Sequence, residues 1–122
     1  MNKDVRRTHR HLDVWRDGID LVRAVYELTA HFPRGEQFGL VAQLRRAAIA
    51  APSNIAEGAA RGSRKEFARF VAMARGSVAE VETQLVIAAE LGYCDHTETV
   101  DAVLNRLYAR LNRLHSRLIH HD

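Results

Sequence analysis

The chain reads as an all-α protein: an antiparallel up-down-up-down four-helix bundle with a Pro-kinked second helix. Three observations predict this. Apolar residues recur at three- and four-residue steps through four long segments. Short stretches carrying Pro33 and Gly35, then Gly62, then Gly92 separate those segments, and such residues end helices. Nowhere do apolar and polar residues alternate over a strand's length between turn signals. Long helices with short connections lie antiparallel to their neighbours. A chain of 122 residues is the size of one domain, 1–122, with a core spanning about 13–118 and frayed termini.

The first helix is expected from Asp13 to about His31, with Asp13 as N-cap or first-turn acid. Trp15, Ile19, Val22, Tyr26 and Thr29 form its apolar stripe, widened by Leu21, Val25 and Leu28. Pro33 disfavours helix at Phe32. The second helix is expected from about Gln37 to Arg61, with Leu40, Leu44, Ala47, Ala48 and Ala51 on one face. Pro52 removes a backbone donor in its middle, which predicts a kink or local break. Ser53 and Asn54 are placed to satisfy the freed backbone groups, and Asn54, Glu57 and Arg46 form a candidate polar lock there. Glu57 and Arg61, four apart, can pair along the helix.

Gly62 fits a helix C′ position, and Ser63 with Glu66 fits a capping box for the third helix, about Arg64 to Leu91. Phe67, Phe70, Val71, Ala74, Val78, Val81, Leu85 and Ala88 repeat there at the bundle period. The fourth helix, about Thr97 to Leu118, carries the seam Val100, Leu104, Leu107, Leu111, Leu114 and Leu118.

Beside that seam stand Arg106, Arg110, Arg113 and Arg117 at steps of four, three and four, a ridge of guanidinium groups on one side of the helix. A second basic cluster, Arg61, Arg64, Lys65 and Arg69, surrounds the start of the third helix. These eight residues are the candidate nucleic-acid-binding set, because Arg makes bidentate phosphate contacts. The net charge is only +3, but it is segregated. Between Gly76 and Asp101 every formal charge is negative, so folding brings surfaces of opposite sign together.

Catalysis finds no support in the motifs. Glu-x-x-His and His-Glu-x-x-His are absent, as are glycine-rich phosphate cradles. The close histidines, His9 with His11 and His120 with His121, sit near the termini, where surface placement outweighs a metal site. Cys94 is the lone cysteine and has no base beside it in sequence, which favours a packed thiol in a reducing compartment. The expectation is no metal, no cofactor and no enzymatic activity. No apolar run approaches the ~18 residues of a membrane span, and the charged N-terminus lacks the apolar stretch of a secretory signal. A cytoplasmic location without membrane association is therefore expected.

The order Phe32-Pro33, Phe38-Gly39-Leu40, Gln43-Leu44-Arg45-Arg46-Ala47-Ala48, Asn54-Ile55-Ala56-Glu57-Gly58, Gly76-Ser77 and Leu91-Gly92-Tyr93 resembles the four-helix-bundle family found in intervening sequences of bacterial 23S rRNA genes. That family is in turn similar to the accessory variability protein of diversity-generating retroelements. The resemblance covers roughly residues 11 to 118 and implies a homopentameric, barrel-like assembly with basic surfaces. It implies nucleic-acid binding, and it brings no catalytic residues with it. Two functions follow: an oligomeric binder of RNA or DNA, with structured RNA preferred, or a self-assembly or protein-docking scaffold. An exposed Trp15 or Phe38 would favour association, since large apolar patches are costly on a monomer.

Overall fold

A computed structural model describes residues 8–120 of the chain. Four helices are present: α1 (Asp13–Thr29), α2 (Leu40–Ala60), α3 (Arg64–Glu90) and α4 (Glu98–Ile119). Short 3-10 turns cover Thr8–His11 and Arg34–Glu36. Each helix packs on the next, and α1 also packs on α4, which closes the bundle. The cross-contacts show the chain sense. Arg45, early in α2, bonds to Thr29 at the end of α1, while Gly18, early in α1, lies against Pro52. Arg64 at the start of α3 reaches the carbonyls of Arg117 and Leu118 at the end of α4, and Arg75 reaches Asn112. Numbers rise along one helix as they fall along its neighbour.

The core is the set of seams expected from periodicity. Val100, Leu104, Leu107, Leu111, Leu114 and Leu118 are all buried, as are Phe70, Val71, Ala74, Val78, Val81, Leu85 and Ala88. Leu21, Leu44, Ile55, Leu107 and Leu111 are completely enclosed, each worth about 1.5–3 kcal/mol relative to exposure.

Three details differ from the sequence expectation. The buried face of α1 is rotated: Val14, Asp17, Gly18, Leu21, Ala24 and Val25 point inward, whereas Trp15, Ile19 and Val22 are half-buried and Tyr26 is exposed. Gly18 lies on this inward face, where its missing side chain lets α1 approach Pro52. A Cβ there would stand 2.9 Å from the proline Cβ. Of the kink or local break expected at Pro52, the break does not occur. α2 stays helical from Leu40 to Ala60, and the buried proline ring fills the space opposite Gly18. Finally, α2 begins at Leu40 rather than Gln37. Its first turn is capped by a carboxylate from the preceding 3-10 turn, Glu36 Oε1 accepting from the Leu40 N–H at 3.0 Å. Phe38 is left 91% exposed in the short stretch between.

Helix ends follow local rules. Gly62 has φ +76°, the left-handed conformation glycine takes at C′. Ser63 Oγ accepts the Glu66 N–H, forming half of the expected capping box, while the Glu66 carboxylate turns to Arg69 instead. α3 closes with a Schellman motif: Tyr93 N–H donates to the Ala88 carbonyl and Gly92 N–H to that of Ala89, with Gly92 at φ +79°. Gly58 marks a close approach of α2 to α3, since a Cβ there would lie 2.5 Å from the Phe70 Cβ. Among the described residues, no helix is long and apolar enough to cross a membrane.

Candidate nucleic-acid interface

The ridge on α4 lies one angular step from its leucine seam, so it runs along the groove where α4 meets α1. What α1 offers opposite each arginine decides what that arginine does. Opposite Arg106 and Arg110 stands Asp17, only 3% exposed. Arg106 Nε donates to one carboxylate oxygen at 3.0 Å and Arg110 Nη1 to the other at 2.9 Å. Arg106 also approaches Asp20 at 3.7 Å, and Arg16 holds the same Asp20 at 3.2 Å. A carboxylate removed from water must be paired and hydrogen-bonded. The upper half of the ridge therefore forms a clasp between the first and last helices.

The lower half differs. Arg113 and Arg117 are exposed, and neither forms an ion pair among the described residues. With Arg110 they line a cleft of about 260 Å³, whose other walls are Leu12, Asp13, Val14 and Leu114. The start of α1 opens into it, and its N-cap, Leu12, supplies no side-chain hydrogen bond. An uncapped helix start adds positive potential to the arginines, while Asp13 in the same wall subtracts from it.

The second cluster is mostly engaged. Arg64 donates from Nε to the Leu118 carbonyl at 3.2 Å and from Nη2 to that of Arg117 at 3.0 Å, capping the C-terminus of α4. Arg61 pairs with Glu57 at 2.9 Å and Arg69 with Glu66 at 3.0 Å. Both guanidinium groups also stand over the Phe70 ring, 4.9 and 4.7 Å from its centre. The Arg69 partner holds the Glu66 carboxyl below its ordinary value, and the same bond raises Arg69. Lys65 is exposed and makes no ion pair among the described residues. The candidate polar lock is not joined as a unit: Glu57 turns to Arg61, and no side-chain hydrogen bond links Asn54 or Arg46 to it among the described residues.

Charge is strongly polarised along the bundle. The half containing residues 8–20, 51–76 and 109–120 holds ten Lys/Arg against five Asp/Glu, a net of +5. The opposite half, residues 21–50 and 77–108, holds five against eight, a net of −3. The cleft belongs to the basic half.

Sequence reasoning overlooked Asp17. Its signal was present: a carboxylate flanked by Val14, Gly18 and Leu21 on one helix face requires a cation from elsewhere. It also overlooked Arg45, which donates to Thr29 Oγ1 at 2.9 Å and stands 4.2 Å over the Tyr26 ring. A further bond, Tyr93 hydroxyl to Glu36 Oε2 at 2.8 Å, ties the α3–α4 connection to the α1–α2 connection. Cys94 is half-buried, and burial followed by Asp95 and Asp101 pushes its thiol up, keeping it protonated at neutral pH. Among the described residues, no group of three or more His, Cys, Asp or Glu is placed to hold a metal ion. His121 lies outside the described residues.

No curated protein matches the chain. A family model described as 23S rRNA-intervening sequence protein matches residues 10–119. A match over that span, on a chain folded as four packed helices, makes this a member of the 23S rRNA-intervening sequence protein family.

Proposed function

We propose that the protein is a non-enzymatic, cytoplasmic RNA-binding bundle that grips the phosphate backbone at its basic half. The carrying observation is the cleft where Arg113 and Arg117 stand beside Arg110, neither of them ion-paired among the described residues. Arginine forks on a walled surface suit phosphodiester oxygens, and the family takes its name from 23S rRNA intervening sequences. Phosphate contacts carry no sequence information, so the expected binding is tolerant of sequence and dominated by charge. DNA would be held by the same contacts.

The test is a salt titration of affinity for a structured RNA. Wild-type affinity is expected to fall steeply with salt, and Arg113→Ala with Arg117→Ala to weaken binding and flatten that slope. An unchanged slope in the folded double variant would refute the assignment.

A second reading, a self-assembly or protein-docking scaffold, is favoured by one observation: Phe38, Val86 and Leu91 are 91%, 57% and 56% exposed, a large apolar outlay for a monomer. The two readings combine in a closed homo-oligomer, five-fold by the resemblance, that presents several basic clefts to one RNA. Simultaneous engagement multiplies weak individual contacts. Light scattering at micromolar concentration checks it; a stable monomer would contradict it.

A further inference from the structure

We infer that the groove between the start of α3 and the end of α4 seats the C-terminal half of α3 from a second copy of this chain. This inference rests on the self-assembly reading and is independent of RNA binding.

The groove encloses about 450 Å³. Its floor is apolar, made by Ala68 and Ala72 of α3 and by Leu118 and Ile119 of α4, and Ile119 remains 49% exposed. The two alanines are four apart on one helix face, so another helix can come close. Arg64, Lys65 and Arg69 rim the groove together with Glu66, the partner of Arg69, a net of +2. An apolar trough with a basic rim fits an amphipathic helix whose exposed face is apolar and flanked by acid.

The chain carries such a face at its other end. Val86, Ile87 and Leu91 are 57%, 43% and 56% exposed on the outside of α3. Glu82 and Glu90, both exposed, lie four residues on either side of Val86, and no Lys or Arg occurs between Gly76 and Asp101. Groove and strip are complementary in both polarity and charge, yet they cannot meet within one molecule. Arg64 and Glu90 close opposite ends of one helix, about 39 Å apart at 1.5 Å per residue. The contact must be between copies: isologous where two copies lie antiparallel and exchange both contacts, heterologous where each copy engages a different neighbour. It lies across α4 from the Arg113–Arg117 cleft, so both surfaces remain usable together.

The experiment uses two charge-reversal variants of the full chain, nuclease-treated and weighed by light scattering at micromolar concentration. Lys65→Glu with Arg69→Glu makes the groove acidic; Glu82→Lys with Glu90→Lys makes the strip basic. Each alone is expected to be monomeric, because its altered surface repels the unaltered surface of its own copies. Combined in one chain, the four substitutions are expected to restore assembly, since each altered surface then faces its altered opposite. Helicity by circular dichroism confirms that each is folded. Val86→Asp, at an exposed position, provides a second route and should abolish assembly without loss of helix.

A monomeric wild type overturns the inference. So does a two-substitution variant that keeps the wild-type mass, or a folded four-substitution variant that stays monomeric. If the groove serves RNA, Lys65→Glu with Arg69→Glu loses RNA retention at unchanged mass, which also overturns it. Arg113→Ala with Arg117→Ala should keep the oligomer while losing RNA, so failure of the RNA reading and failure of this one are separate results.

Discussion

Arg106 and Arg110 share a helix, a face and a spacing with Arg113 and Arg117, yet the two pairs do different work. The first pair holds both oxygens of a buried carboxylate at 3.0 and 2.9 Å. The second lines an open cleft and makes no ion pair among the described residues. Nothing on α4 separates them. The difference comes from α1, which presents Asp17 and Asp20 to the upper pair and Leu12, Asp13 and Val14 to the lower. The role of a cation in a bundle is thus set by the facing helix more than by its own.

The sharpest way to break this comparison is to truncate each pair and measure stability. Arg106→Ala with Arg110→Ala strands a buried carboxylate and is expected to cost about 3–5 kcal/mol in urea denaturation. Arg113→Ala with Arg117→Ala removes only surface charge and should fall within about 0.5 kcal/mol of wild type. Equal losses would erase the distinction, and a quadruple variant would confound folding with binding.

Asp17→Asn approaches the same comparison from the other side. It keeps the shape but drops the charge that holds the clasp, and is expected to cost about 1–3 kcal/mol by thermal or chemical unfolding. It also releases Arg106 and Arg110 toward the groove. RNA affinity should therefore rise as stability falls, with a steeper salt slope. A fall in both would mean the upper arginines cannot serve phosphate even when released.

The lower pair then carries the binding test. Losing two phosphate contacts should reduce the salt slope by about 1.5–2 and affinity by about tenfold or more at low salt. The smallest effect is expected far from the ridge. The Leu40 N–H, and after it the Tyr93 hydroxyl, hold the Glu36 carboxyl below its ordinary 4.5. Its folded pKa is thus lower than its unfolded one, so its contribution is present above that ordinary value and is lost as pH falls through the folded one. Glu36→Gln should remove this acid-side loss, measurable as a flatter stability profile below pH ~4.5, while leaving the clasp and RNA binding untouched.

Much of the fold was legible because helix seams write themselves into sequence at a fixed period. Every seam residue expected on α4 is buried, and the turns at Gly62 and Gly92 take the positive φ their positions require. The face of α1 was harder to place, because Trp15 and Tyr26 outweigh Gly18 in any hydrophobic pattern, yet Gly18 sets the closest approach to α2. Pro52 predicts a kink or local break, and the helix is unbroken; the contact its ring makes with Gly18 depends on a residue 34 positions away. The start of α2 moved because its cap is the side chain of Glu36 rather than a Ser, Thr, Asp or Asn at the usual place. The candidate interface was legible as a row of arginines and illegible as two functional halves. Periodicity within α4 carries no information about Asp17.

The clasp also has a consequence for how the chain reaches its fold. Arg106 and Arg110 lie 89 and 93 residues from Asp17, so during synthesis the first three helices emerge while that carboxylate still lacks its partners. α4 is thus the last helix to be able to dock during synthesis, and the clasp is expected to be unformed at the rate-limiting barrier, which its φ-value tests. Weakening the clasp should hasten unfolding while leaving the refolding rate nearly unchanged, so its contribution is to the lifetime of the finished bundle rather than to the speed of its assembly.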